Sequence, residues 1–154
     1  MRDDGRPAGE LDCEIVNARG RAFTIRELRD RVTLAEPRVV LLREIEGGTT
    51  STLGVFGEKV EELTKGLDAY SMVVDLGESA DVIPTPEYRR YIPDFFGELH
   101  GRSGGALRHV AVVFHGNAAI RVALKFLSTR MVSMPISFHA NRAVAFRAAR
   151  AASI

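Results

Sequence analysis

The stretch from Arg108 to Asn141 constrains the fold more than any other part of the chain. It reads RHVAVVFHGN, then AAIRVALKFLSTRM, then PISFHAN. Val110, Val112 and Val113 mark a strand covered on both faces, while Ile120, Leu124, Leu127 and Met131 recur at helical spacing. Pro135 opens a second strand. A strand, a helical crossover and another strand make one βαβ unit with parallel strands. Both strands end alike, in Phe114-His115-Gly116-Asn117 and Phe138-His139-Ala140-Asn141. Matched polar residues therefore emerge at the carboxyl ends of two buried strands.

The rest of the chain extends this pattern. Residues 1–10 are polar, with Gly5, Pro7 and Gly9, and are expected to be disordered. Glu14–Val16 and Ala22–Ile25, separated by a turn sequence, suggest a short hairpin. Arg31–Ala35 and Arg38–Ile45 are β-branched runs joined through Glu36-Pro37 and should pair antiparallel. Gly47-Gly48 ends the second run, and Thr49 or Thr50 is placed to cap a helix. In that helix Leu53, Phe56, Val60, Leu63 and Leu67 form one apolar stripe, and Gly66 marks its end. Tyr70–Leu76 lacks alternation, as expected of a strand buried on both faces. Thr85-Pro86-Glu87 is a helix start: a capping hydroxyl, a proline at the first position and an acid in the first turn. Pro93 interrupts the hydrogen bonding of that helix, predicting a kink or two short helices. Gly101–Gly105 reads as a surface loop. Asn141 caps a final helix with Val144, Ala145, Ala148 and Ala152 on one side and arginines on the other.

Two strands followed by repeated helix–strand units predict an α/β fold with a mixed, largely parallel sheet and about four helices. Residues 1–26 form an N-terminal extension and 27–154 the domain. The net charge of +1 gives no field that would draw nucleic acid or an anionic membrane. With 7% aromatic residues and no Trp, there is no base-stacking platform either. No apolar run approaches the roughly 20 residues needed to span a bilayer. The opening MRDDGRPAGE lacks the apolar core of a signal peptide, and Cys13 is the one cysteine. Both point to a cytoplasmic protein. No dinucleotide fingerprint or phosphate-binding loop is present, and nothing calls for a cofactor.

From Arg31 onward the chain resembles the STAS superfamily, in particular its SpoIIAA-like, STAS/SEC14-type branch. The resemblance rests on the hairpin RVTLAEPRVVLLREIEG, the amphipathic helix, the strand VVDLGES, the strand AVVFHGN with its helix, and the terminal ISFHANRAVAFRAA. It implies a non-catalytic regulatory or protein-interaction module of bacterial type. It further implies partner binding through the loop and helix start that follow Asp75. In the anti-sigma antagonist branch that loop carries Asp-Ser-Ser-Gly with a phosphorylated serine. Here it reads Asp75-Leu76-Gly77-Glu78-Ser79, and the serine pair is missing. Thr85 and Ser79 are the residues left for phosphorylation.

Ligands in parallel sheets gather at the carboxyl ends of the strands. That places Asp75, His115 and His139 on one edge, with Glu78, Ser79, Asn117 and Asn141 just beyond. Two imidazoles and a carboxylate can bind a divalent metal or move protons. The plainer reading is that the histidines lie where strands leave the core and the asparagines cap helices. His100 and His109 read as surface residues. Tyr88, Tyr91, Phe95 and Phe96 offer a third reading, a groove for a lipid-like ligand, against core packing. A protein partner is expected, and self-association through an exposed strand or the aromatic helix is compatible with the sequence.

Overall fold

The computed structural model describes residues 8–77, 85–114 and 135–153. Ala8–Leu11 (α1) leads into a hairpin of Glu14–Val16 (β1) and Ala22–Thr24 (β2). Thr24 then opens Ile25–Arg29 (α2) with a complete capping box: its hydroxyl accepts from Glu27 N–H, and Glu27 reaches back to its backbone. This N-terminal part is attached to the domain. Asn17 Nδ2 donates to Glu46 O at 2.6 Å, and Leu11, Phe23 and Leu28 are buried.

Val32–Glu36 (β3) and Val39–Arg43 (β4) pair antiparallel, with an irregularity between Leu34 and Glu36. Thr49, not Thr50, caps Thr50–Leu63 (α3), whose buried Leu53, Phe56 and Val60 follow the apolar stripe. Gly66 adopts φ +87° just past the end of α3, a conformation that favours glycine. Tyr70–Asp75 (β5) is buried throughout, and Pro86–Arg102 (α4) follows with Thr85 as its cap. Leu107–Val113 (β6), Ile136–His139 (β7) and Arg142–Ala152 (α5), capped by Asn141, complete the described elements.

The larger sheet has five strands in the order β3-β4-β5-β6-β7, with only the β3–β4 pair antiparallel. The fold is therefore α/β around a mixed, mostly parallel sheet. Strand parity divides the core. Val40, Leu42, Tyr70, Met72, Val110 and Val112 face α3 and α4 in the larger cluster. Val39, Val73, Ala111 and Val113 face the opposite way, against Ala145 and Ala149 of α5. The two alanines, both 0% exposed, let α5 lie close to the strands. Among the described residues, no helix is long and apolar enough to cross a membrane.

Several expectations change, beginning with Ala8–Glu10, expected to be disordered, which lie in α1. The helix around Pro93 is not two helices: α4 runs unbroken for 17 residues. Proline removes one hydrogen bond, and burial of Tyr88, Phe95, Phe96 and Leu99 along the same helix outweighs that loss. His100 and His109 are half-buried rather than surface residues. His100 Nδ1 lies 3.0 Å from Leu107 O, which ties the end of α4 to the start of β6.

Candidate functional site

Strand order along the described sheet never reverses. The crevice that open α/β sheets form at a reversal, where ligands usually sit, is therefore not generated by these strands. What the carboxyl edge does hold is a set of polar side chains already bound to one another.

Asp75 ends β5 on the α5 side, and its side chain is 12% exposed. Its Oδ1 accepts from Gly77 N–H at 2.8 Å, and its Oδ2 accepts from Arg142 Nε at 2.5 Å. Gly77 turns at φ +46°, which brings its amide back onto the carboxylate. Arg142 is the first residue of α5, directly after Asn141, whose Oδ1 accepts from Val144 N–H at 3.0 Å. Asp75 and Asn141 together fix the start of α5 on the carboxyl edge.

On the opposite face, Glu44 follows β4. Its Oε1 accepts from Ile45 N–H at 2.9 Å and its Oε2 from the Tyr88 hydroxyl at 2.6 Å. Enclosure of the carboxyl pushes its pKa up, more than the hydrogen bonds from Tyr88 and Ile45 pull it down. Burial, then the neighbouring carboxylate, push the Tyr88 hydroxyl well above its ordinary value. The tyrosine fits because residue 48 is glycine: a Cβ there would lie 2.9 Å from the Tyr88 hydroxyl. Tyr88 belongs to the first turn of α4, where Thr85 Oγ1 accepts its amide at 3.2 Å. Thr85, Pro86 and Glu87 are all exposed, so a surface turn stands on a buried anchor.

His139 meets Ser137 on its own strand, while His115, which the sequence set beside it, lies outside the described residues. Ser137 Oγ lies 2.6 Å from His139 Nε2 and 2.6 Å from His109 Nε2. The three side chains share the α5 face, because Ser137 pairs with Ala111 and His139 with Val113. All three are half-buried. Burial, then the nearby His139, push the His109 imidazole below its ordinary value. Ser71, level with His109 on β5, is fully buried, and its hydroxyl has no hydrogen-bond partner among the described residues.

The structure thus separates residues that the sequence grouped. Asp75 and His139 lie on either side of Val113, about 10 Å apart along the sheet. Thr85 caps α4 and Asn141 caps α5, on opposite faces. Glu78, Ser79, His115 and Asn117 lie outside the described residues. Among the described residues, no three His, Cys, Asp or Glu side chains converge as a metal site. The aromatic group packs on itself, with Phe95 and Phe96 rings edge to face at 5.0 Å and both buried. A shallow depression of about 550 Å³ lies at the other end of the sheet, among Glu36, Arg38, Asp68 and Arg150. Ion pairs lie along it, Arg150 to Glu36 at 2.7 Å and Arg38 to Asp68 at 2.8 Å.

Sequence reasoning missed Glu44–Tyr88 and His109–Ser137. Ser137-x-His139 did carry a signal, since residues two apart on a strand share a face. Comparison with protein-family models, with curated proteins and with solved structures gives no match.

Proposed function

We propose that this chain is a non-catalytic regulatory or protein-interaction module, of the STAS-like kind its sequence resembles, which docks a protein partner through the first turn of α4. One observation carries the reading: Thr85, Pro86 and Glu87 are exposed, while the next residue, Tyr88, is buried on Glu44. A recognition surface gains affinity when its backbone is ordered before binding, because less entropy is lost on association. The Glu44–Tyr88 bond provides that order. The engagement of Asp75 with Gly77 and Arg142 supports the non-catalytic part, since both carboxylate oxygens already accept hydrogen bonds.

Thr85 is also where phosphorylation would act on such a surface. A phosphate there would sit beside the free amides of the helix start, exchanging a neutral cap for a dianion. The test is affinity capture from lysate of the producing cells, with bound proteins quantified by mass spectrometry. A specific partner held by the wild type should be lost with Thr85→Ala/Glu87→Lys and kept with Lys65→Ala, a change at an exposed residue beyond the end of α3. Retention of every partner by the double variant would remove the assignment.

A further inference from the structure

The arrangement of His109, Ser137 and His139 supports more than a hydrogen bond. Two Nε2 atoms lie 2.6 Å from one hydroxyl oxygen, so they are no farther apart than twice that distance. One hydroxyl proton cannot serve both acceptors. With neutral imidazoles, one ring must donate its Nε2–H to Ser137 while Ser137 donates to the other. The second ring then carries its proton on Nδ1. Ser137, not a carboxylate, is the group each Nε2 meets, and charging both rings would set two cations around one oxygen.

We propose that His109, His139 and Ser137 form a binding site for a divalent transition-metal ion of the zinc, nickel or copper class. Two imidazoles sharing a tetrahedral ion at about 2.0–2.1 Å bring their nitrogens to roughly 3.4 Å. Reaching that spacing, and opening the 2.6 Å contacts of Ser137 Oγ with each Nε2, requires the three half-buried side chains to rotate. With the ion bound, both rings ligate through Nε2 and carry their proton on Nδ1, Ser137 Oγ keeps its proton and supplies a neutral third donor, and water completes the shell. Imidazole donors without carboxylates select these metals over magnesium or calcium. A metal-bound imidazole normally donates its other N–H to a fixed polar group. Ser71, level with His109 on the adjacent strand and with its hydroxyl unpartnered among the described residues, is placed for that role. The site lies on the α5 face and does not depend on the α4 docking surface.

Full-length protein stripped with chelator is titrated calorimetrically with Zn²⁺, Cu²⁺ and Mg²⁺ in turn. One equivalent of Zn²⁺ and of Cu²⁺ should bind, with no saturable heat from Mg²⁺. The paramagnetic resonance spectrum of the Cu²⁺ form should show coupling to two imidazole nitrogens. His109→Gln and His139→Gln should each weaken Zn²⁺ binding at least tenfold, while His100→Gln leaves it unchanged. Thermal unfolding without metal identifies any variant that fails to fold, and the wild-type copper spectrum remains decisive in that event. Unchanged affinity in folded His109→Gln and His139→Gln, loss in His115→Gln with retention in His109→Gln, or a copper spectrum without two nitrogens overturns the proposal.

Discussion

Removing the Tyr88 hydroxyl tests the anchor of α4 in isolation. Tyr88→Phe keeps the buried ring and its packing over Gly48, and deletes only the donor 2.6 Å from Glu44 Oε2. Ile45 N–H is then the one remaining donor among those described to the Glu44 carboxyl oxygens. A hydrogen bond to a charged group contributes about 1.5–3 kcal/mol, and one to a neutral group about 0.5–1.5. The Glu44 pKa is raised above 4.5 in the folded state, so the native protein holds this proton more tightly than the unfolded chain does. The stabilisation linked to that proton is complete below about 4.5 and is lost as pH rises through the folded pKa. Without Tyr88 the carboxyl loses a bond that favours its charged form, and its pKa rises further. The cost of Tyr88→Phe should therefore be about 1 kcal/mol at pH 4.5 and should grow towards about 2 kcal/mol or more as pH passes through the folded pKa of Glu44. A loss of about 2 kcal/mol should lower the melting temperature by about 4–8 °C. The chain has no Trp, so urea unfolding followed by far-ultraviolet circular dichroism over a pH series upward from 4.5 is the suitable assay. A cost that stays constant or falls across the series, or that never exceeds about 0.5 kcal/mol, would show that the hydroxyl does not hold the Glu44 carboxyl.

Two further changes probe the other face. Arg142→Ala removes the Oδ2 partner of Asp75, and because Arg142 is 49% exposed the global cost should stay near 1 kcal/mol. Hydrogen exchange should nevertheless quicken in the first turn of α5, and unchanged protection there would show that Asp75 does not hold it. Ala149→Leu forces a branched side chain between α5 and Val73, Ala111 and Val113, at a residue 0% exposed. Overpacking of this kind should cost about 1–3 kcal/mol in denaturant unfolding, and a neutral result would contradict the close helix–sheet contact.

The sheet was legible in the sequence because its central strands are buried on both faces. Short unbroken apolar runs such as Met72–Val74 and Val110–Val113 suit a strand covered from above and below, and water would penalise them on a half-exposed one. Thr49, Thr85 and Asn141 were legible as caps because capping is local, set by a side chain and an amide three residues on. The polar contacts were not legible, because register fixes them. Glu44 reads as one more charge beside Arg43, and its partner Tyr88 stands 44 residues away. Asp75 and Arg142 are 67 apart. The repeated Phe-His-x-Asn set His139 beside His115, which lies outside the described residues, and the contact of His139 with Ser137 and His109 follows only from strand parity and the pairing of Val113 with His139. Of the two outcomes expected at Pro93, a break into two separate helices does not occur, because burial along the same helix outweighs the one lost hydrogen bond.

The proposed function turns on contact between the exposed first turn of α4 and a protein partner. A photo-activated cross-linking amino acid at position 87, expressed in the cells that make the protein, reads that contact at one residue. Control positions are 65, beyond α3, and 147, on the exposed side of α5. A docking role predicts a discrete heavier adduct from position 87, absent from both controls and abolished by Thr85→Ala in the same chain. No adduct from position 87, or the same adduct from all three positions, would contradict it.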